Sequence, residues 1–232
     1  MPLIQSMIFK PFHPAPSRLQ IISPRLAGNA EVVGVGDDLS PETLLWAYTH
    51  GIFPWPVDGY PLLWFCPPLR AVLAFDKLHI PERLARARRA STFTLTIDTA
   101  FDQVIAGCRL SPRPNQPGTW ITPAMLSAYR DLHKLGHAHS VEVWDTNGAL
   151  VGGLYGVSAG GVFCGESMFH RASNASKFAL LFLCEHLQER GSQWIDIQIM
   201  TPHLAALGAT EISRDEFLDR LESAQKRRLV LF

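Results

Sequence analysis

Apolar and polar residues alternate with a period of two between residues 140 and 168, a pattern typical of β-strands with one buried face. The pattern predicts three strands, at Ser140–Trp144, Leu150–Val157 and Val162–Met168. Asn147-Gly148 separates the first two strands and is a strong signal for a tight hairpin turn. We therefore expect an antiparallel meander in this part of the chain.

A buried helix and another strand follow the meander. Asn174 begins the helix, whose segment Phe178–Cys184 is almost entirely apolar, and Gly191 ends it. The strand Ile195–Gln198 comes next. Three antiparallel strands, a buried helix and a further strand predict an α+β layer fold, and acyltransferase cores of the GNAT type have the same order of elements.

The first part of the chain has few long elements. Prolines interrupt the first thirty residues, which we expect to be extended and irregular. Ser40-Pro41 predicts the start of a helix, and Arg70–Phe75 is a short extended segment. We predict a small N-terminal domain over residues 1–73 and a GNAT-like domain over residues 74–232, the latter with a mixed, largely antiparallel sheet.

Composition and charge narrow the class of protein. The chain has 232 residues, of which 47% are hydrophobic, and no net charge. A dedicated sequence-specific nucleic-acid-binding domain is usually strongly basic, so the charge argues against that class but allows a local basic patch. The chain has no leader-like N-terminus and no apolar run of about 18 residues, which favours a cytoplasmic protein outside the membrane. The four cysteines form no CxxC motif and the histidines no metal-binding pattern, so we expect reduced thiols and no metal.

Two predicted strands carry polar residues where a buried strand should be apolar. Glu166 lies within Phe163–Phe169, and Asp196 and Gln198 alternate with isoleucines in the strand after the buried helix. Strict alternation would place Asp196 and Gln198 on one face of that strand. Because such groups are costly to bury without partners, they either satisfy each other and the backbone or face a site.

Each of these polar residues has a structural and a functional interpretation. Glu166 forms either a buried salt bridge, to Arg171 or Lys177, or an anchor for an α-ammonium group. Asp196 is either satisfied by neighbouring backbone, or it takes a proton from an amine nucleophile, or it polarises Gln198 so that the amide orients that amine.

Two features of the sequence are compatible with nucleic-acid binding. Basic side chains outnumber acidic ones between residues 77 and 113, chiefly in a predicted helix over Pro81–Arg89. This helix is either a solvated face or a surface that holds phosphates. Trp55 and Trp120 stand near prolines, and each is either a core residue or a platform on which a base stacks.

The connection between the third meander strand and the buried helix bears on the acyl donor. CoA-dependent GNAT enzymes have a Q/R-x-x-G-x-G/A loop there, in which backbone N–H groups bind the phosphates. Residues 169–176 of this chain contain no glycine. A CoA thioester is therefore a disfavoured donor.

A series of short sequence blocks occurs in order between about residues 32 and 220. They include Gly51-Ile52-Phe53-Pro54-Trp55, Thr119-Trp120-Ile121-Thr122, Phe163-Cys164-Gly165-Glu166-Ser167-Met168-Phe169, Asn174-Ala175-Ser176-Lys177 and Ile195-Asp196-Ile197-Gln198. Each block alone is a weak signal. The ordered set resembles the bacterial leucyl/phenylalanyl-tRNA–protein transferase family.

The resemblance implies a reaction in which Leu or Phe, with Met as a further candidate, passes from aminoacyl-tRNA to the N-terminal Arg or Lys of a protein. The product would carry an N-degron for proteolysis. The resemblance also implies that no cofactor is needed, because the ester of aminoacyl-tRNA is already activated, and we expect a monomer. Two alternatives stay open: a CoA-dependent GNAT acyltransferase with a non-standard loop, and a tRNA-binding module without catalysis.

The resemblance further implies roles for individual residues. Asp196 and Gln198 match a catalytic relay, and Glu166 and Gly165 match positions that engage the aminoacyl group. The apolar pocket for the Leu or Phe side chain would be formed by Leu154, Phe163, Met168, Leu187 and Ile195. The residues implied to hold the 3′-terminal adenosine are Trp55 and Trp120. The residues implied to contact the acceptor stem are Arg86, Arg88 and Arg89.

Overall fold

The computed structural model describes residues 19–111 and 119–232, and the strands in these ranges form two sheets. The smaller sheet is antiparallel, with the order β1-β2-β4-β3. Its strands are β1 (Gln20–Ile21), β2 (Val32–Val35), β3 (Phe53–Trp55) and β4 (Leu63–Phe65). Residues 1–18, which belong to the segment expected to be irregular, and residues 112–118 lie outside the described ranges.

The larger sheet has seven strands in the order β11-β5-β10-β9-β8-β7-β6. Its strands are β5 (Leu69–Ala74), β6 (Thr94–Ile97), β7 (Ala138–Trp144), β8 (Leu150–Ala159), β9 (Val162–His170), β10 (Trp194–Gln198) and β11 (Thr210–Ser213). Neighbouring strands are antiparallel except for β9 and β10, which run parallel. The predicted meander and the predicted α+β class, with a mixed and largely antiparallel sheet, are confirmed.

Seven α-helices surround the sheets within the described ranges. They are α1 (Pro41–Thr49), α2 (Glu82–Arg89), α3 (Phe101–Leu110), α4 (Pro123–Lys134), α5 (Ala175–Glu189), α6 (Pro202–Ala205) and α7 (Arg214–Lys226). The predicted start of α1 is confirmed, because the Ser40 side chain accepts a hydrogen bond from the Thr43 backbone N–H and Pro41 occupies the first helical position. Within the described ranges, no helix combines the length and apolarity needed to span a bilayer.

Helices cover both faces of the larger sheet. On one face, α1, α3 and α4 share a core with the smaller sheet and with side chains of β8 that include Tyr155 and Val157. On the other face, the apolar side of α5 packs against Val141, Leu154 and Phe163. The predicted burial of α5 is confirmed, and its apolar run fills the space beneath the centre of the sheet.

The change from one sheet to the other falls between Phe65 and Leu69. Strand β5 lies between β11 and β10 in the larger sheet, although it comes directly after the last strand of the smaller one. The predicted domain boundary at residue 73 therefore falls inside β5. The sequence pattern did not indicate this, because a short apolar strand carries no sign of the strand with which it pairs.

Candidate active site

The site lies where the two parallel strands β9 and β10 separate. The strands pair at Phe163 with Ile195 and at Cys164 with Asp196. The paired register extends no further along them. The two polar strands are thus neighbours in the sheet, and their separation opens a cleft between their C-terminal halves. We call this place the fork.

A β-bulge interrupts each strand at the fork. On β9, Gly165 and Ser167 oppose consecutive residues of β8, so Glu166 is the extra residue. On β10, Asp196 and Gln198 oppose consecutive residues of β5, so Ile197 is the extra residue. Bulges bend a strand and re-aim side chains, and they are frequent beside active sites.

The backbone of Gln198 adopts a conformation that is uncommon outside glycine. Its φ is 61°, and the Ile199 N–H donates to the Ile197 carbonyl across it at 2.7 Å. The Gln198 N–H donates to Asp196 Oδ1 at 3.0 Å, which fixes this tight turn. Backbone strain of this kind persists where surrounding contacts determine the geometry, and it concentrates at functional sites.

The strict alternation expected along β10 is wrong beyond Asp196. Ile195, Ile197, Gln198 and Ile199 all line one pocket, whereas Asp196 does not. The bulge at Ile197 and the positive φ of Gln198 rotate the chain, so that adjacent side chains reach the same cavity.

Asp196 is held by a buried arginine that the sequence analysis did not single out. Arg70 on β5 donates from Nε to Asp196 Oδ1 at 2.8 Å and from Nη2 to Oδ2 at 2.6 Å, and both side chains are 1% exposed. The rings of Phe53 and Phe217 lie 4.7 and 4.5 Å from the guanidinium carbon. An arginine within an apolar strand needs an acidic partner, and that rule was the available signal.

Glu166 is bonded across the fork and into the core. Gln198 Nε2 donates to its Oε1 at 2.6 Å, and the Tyr129 hydroxyl donates to its Oε2 at 3.0 Å. The Tyr129 hydroxyl also lies 2.6 Å from the Tyr48 hydroxyl. The carboxylate thus bonds to Tyr129 and Gln198, and the guanidinium of Arg171 instead donates to a backbone carbonyl.

The environment of Glu166 makes its ionisation responsive to binding. Burial raises the pKa of Glu166 from 4.5 to about 7, and the nearby charge of Asp196 adds to that rise. The nearby Tyr48 hydroxyl and the hydrogen bonds from Tyr129 and Gln198 oppose the rise. A cation placed at the fork would favour the carboxylate form. Neither Tyr48 nor Tyr129 was predicted from the sequence, although tyrosines on the apolar faces of helices usually have a partner for the hydroxyl.

A pocket of ≈ 330 Å³ opens at the fork, and its walls are mostly apolar. It brings together nine of the residues implied by the family resemblance, namely Trp55, Trp120, Leu154, Phe163, Gly165, Glu166, Met168, Ile195 and Gln198. It also includes residues that the sequence analysis missed, among them Leu180, Leu183, His203 and Leu204.

Leu187 does not line this pocket. Leu180 and Leu183 on α5 form part of the wall, but Leu187 lies about 6 Å further along the helix axis than Leu183 and is completely buried in the core. Asp196 likewise lies behind the wall rather than in it. The expected membership of Leu187 in the pocket is therefore not found in this structure.

Comparison with known proteins identifies the family. The family model described as leucyl/phenylalanyl-tRNA protein transferase matches residues 72–222, and the model of that family's N-terminal domain matches residues 37–68. A leucyl/phenylalanyl-tRNA–protein transferase of Nitratidesulfovibrio vulgaris strain DP4 is 50% identical over 87% of this chain and 86% of the relative. One of Xanthomonas campestris pv. campestris strain 8004 is 50% identical over 94% of this chain and 85% of the relative. The chain belongs to the leucyl/phenylalanyl-tRNA–protein transferase family.

Solved structures add a more distant match for this family member. The structure of L-PGS from Bacillus licheniformis is 14% identical and has a TM-score of 0.39, over 71% of this chain and 55% of that one.

The two tryptophans of this transferase-family chain stand together at the pocket. The ring centroids of Trp55 and Trp120 lie 5.1 Å apart with an interplanar angle of 17°, so the rings are stacked. Trp120 is buried and Trp55 is half-buried, and both take part in the core beneath the smaller sheet. The core interpretation therefore holds for both tryptophans, and both also line the pocket.

The arginines of α2 differ in their surroundings. Arg86 and Arg89 are exposed, and Arg86 makes only a surface ion pair with Glu82 at 3.2 Å. Arg88 forms a bidentate pair with Glu185 of α5, with distances of 2.5 and 2.6 Å. The charge of Arg88 is therefore already matched, and Arg86 and Arg89 are more available to a phosphate.

Proposed function

We propose that this chain transfers leucine or phenylalanine from aminoacyl-tRNA to the amino terminus of acceptor proteins. The observation that carries the proposal is the apolar pocket at the fork, with the bonded pair Glu166 and Gln198 at its edge, in a chain of this family. In the reaction, the acceptor amine attacks the ester carbonyl and an amide bond forms. The ester C–O bond breaks, and one proton passes from the amine to the departing ribose oxygen. The ester is activated on the tRNA, so the step draws on no cofactor.

The pocket supports the proposed choice of donor. The side chain of Leu, Phe or Met is apolar and is not branched at Cβ. In the pocket it would be surrounded by Leu154, Phe163, Met168 and Ile195. An apolar pocket distinguishes side chains that differ by one methylene by only about 1–3 kcal/mol of binding free energy. Rejection of Ile and Val, which are about as apolar as Leu, would therefore depend on the shape of the pocket near Cβ.

The tRNA would lie across the pocket entrance and α2. The stacked pair Trp55 and Trp120 is proposed to hold the 3′-terminal adenosine, because aromatic faces bind any base by stacking. The exposed guanidinium groups of Arg86 and Arg89 would contact phosphates of the acceptor stem.

Glu166 and Gln198 are proposed to handle the two amines. The carboxylate of Glu166, with Gly165 beside it, would hold the α-ammonium group of the aminoacyl ester. The side-chain carbonyl of Gln198, whose amide nitrogen donates to Glu166, would accept a hydrogen bond from the incoming acceptor amine. The acceptor is proposed to begin with Arg or Lys, so that the product carries an N-degron.

Asp196 is proposed to orient Gln198 rather than to act as a base. Its carboxylate is buried, receives two bonds from Arg70, and accepts the backbone N–H of Gln198. A general base must reach the proton that it removes, and Asp196 lies behind the pocket wall. Its effect on the amine would pass through the fixed turn at Gln198.

One assay tests the proposed function against the alternatives. The protein is incubated with labelled leucyl-tRNA and a peptide beginning with Arg, and the expected product is Leu-Arg-peptide. The control peptide carries an acetylated N-terminus and should give no product. Labelled acetyl-CoA in place of the tRNA should label nothing. Transfer of the acetyl group, or binding of charged tRNA without any peptide product, would overturn the proposal.

A further inference from the structure

A line of hydroxyl groups connects the site to the N-terminal part of the chain. The Tyr48 hydroxyl, on α1, lies 2.6 Å from the Tyr129 hydroxyl, on α4, which donates to Glu166 Oε2 at 3.0 Å. The two tyrosines are 1% and 0% exposed. Neither residue figures in the proposed function above.

The hydrogen-bond directions in this line follow from counting protons. A phenol has one hydrogen, and that of Tyr129 is directed at Glu166. Tyr48 must therefore donate to Tyr129. Both hydrogens point toward the carboxylate, and Gln198 Nε2 donates to its other oxygen. These hydrogen bonds end in the core at Tyr48, which is buried, so they stabilise the negative charge of Glu166 and form no path for protons to solvent.

We propose that Tyr48 and Tyr129 are positioning residues for the transfer reaction, which keep the Glu166 carboxyl ionised and aimed at the fork. This inference rests on the proposed function. Since Tyr48 lies in the segment matched by the N-terminal family model, the proposal gives that segment a direct part in the active site.

The charges around Glu166 are consistent with this role. Burial, together with the charge of Glu166, raises the pKa values of Tyr48 and Tyr129 well above 10.0, so both phenols remain donors at working pH. The neighbouring Cys164 thiol is kept neutral, because burial raises its pKa well above 9.0. Asp196 is the neighbouring group that opposes ionisation of Glu166. The phenols and Gln198 are thus the groups that counteract burial and Asp196.

Conservative variants test the proposal. Tyr129→Phe and Tyr48→Phe remove a hydroxyl and keep the ring that packs in the core. The readout is the pH profile of kcat/KM for leucine transfer between about pH 5 and about pH 9. We expect the ascending limb to move upward by about one pH unit for each lost hydrogen bond, with the rate recovering at high pH. The acceptor amine is the same in every assay, so a difference in the midpoint of the pH profile between variants comes from a group of the enzyme.

Tyr60→Phe is the matched control, because Tyr60 belongs to the same N-terminal part and is 57% exposed. Its profile should coincide with that of the unchanged protein. A uniform loss of activity at all pH values in Tyr129→Phe, with an unchanged midpoint, would overturn the proposal and indicate a merely structural role. In the Glu166→Gln background, adding Tyr129→Phe should leave the midpoint unaltered.

A second readout separates this inference from the proposed function. The carboxyl carbon resonance of Glu166 in isotope-labelled protein gives its pKa without turnover. An upward shift in Tyr129→Phe supports the positioning of the carboxyl even in an inactive preparation, whereas inactivity of the unchanged protein counts against the proposed function. An unshifted resonance in both tyrosine variants would overturn the inference.

Discussion

Replacing Glu166 by Gln should change how the stability of the protein depends on pH. The pKa of Glu166 is about 7 in the folded protein against 4.5 for an ordinary glutamate, chiefly because of burial. A pKa raised on folding means that the protonated form is the one favoured by the fold. The associated stabilisation is fully present below about pH 4.5 and is lost as the pH rises through about 7. Glutamine does not titrate, so the stability of the Glu166→Gln variant does not fall in this way as the pH rises.

The structure sets the size of the effect. One pKa unit corresponds to about 1.36 kcal/mol, so a rise from 4.5 to about 7 gives an upper limit of about 3 kcal/mol. The Glu166 side chain is half-buried and faces an open pocket, and solvent screening there reduces the expected value to about 1–2 kcal/mol. The unchanged protein should lose that much stability relative to Glu166→Gln between about pH 5 and about pH 8.

Urea unfolding followed by tryptophan fluorescence measures this difference at each pH. Glu211→Gln is the control, because Glu211 is exposed on the edge strand β11. The stability of the control should follow that of the unchanged protein across the pH range. Parallel pH curves for the unchanged protein and Glu166→Gln would refute the reasoning, since they would mean that Glu166 titrates normally in the fold.

Three further predictions concern other parts of the molecule. Arg70→Met leaves a buried carboxylate unpaired and should lower the free energy of unfolding by about 3–5 kcal/mol, measured by urea titration; a loss below about 1 kcal/mol would contradict the pairing. Met168→Ala should alter the ratio of Phe to Leu transfer. Leu187→Ala should lower the free energy of unfolding by about 2–5 kcal/mol and leave that ratio unchanged. A changed ratio in Leu187→Ala but not in Met168→Ala would indicate that Leu187, and not Met168, contacts the transferred side chain. Charge reversal of Arg86 and Arg89 should weaken tRNA binding and flatten its salt dependence, and an unaltered salt slope would count against the α2 surface.

Local patterns in the sequence predicted the elements that depend on local rules. The turn at Asn147-Gly148 and the cap at Ser40 each act within a few residues, and both hold in the structure. The alternation along β10 failed at Ile197 because a bulge depends on the register with β5, a strand far away in the chain. Pairing across long sequence separations leaves no trace in the pattern of a single strand.

The sequence predicted only part of the candidate site, because some of its residues are brought together by contacts between distant parts of the chain. Family motifs marked Glu166 and Gln198, which face the pocket directly. Arg70 supports the site from a position 126 residues before Asp196, and Tyr48 reaches it from the smaller sheet's side of the molecule. The family resemblance implied that Leu187 lines the pocket, but the resemblance did not indicate where along α5 the pocket ends.

The position of β5 in the larger sheet has a consequence for synthesis of the protein. Both of its neighbours, β10 and β11, come from the last part of the chain, while β5 itself emerges from the ribosome early. The backbone groups of β5 therefore cannot pair with β10 and β11, nor Arg70 with Asp196, until most of the chain has been translated. A product that stops short of Trp194 lacks Gln198 and leaves β5 unpaired at both edges. We therefore expect incomplete chains to expose the unpaired edges of β5 and to be prone to aggregation.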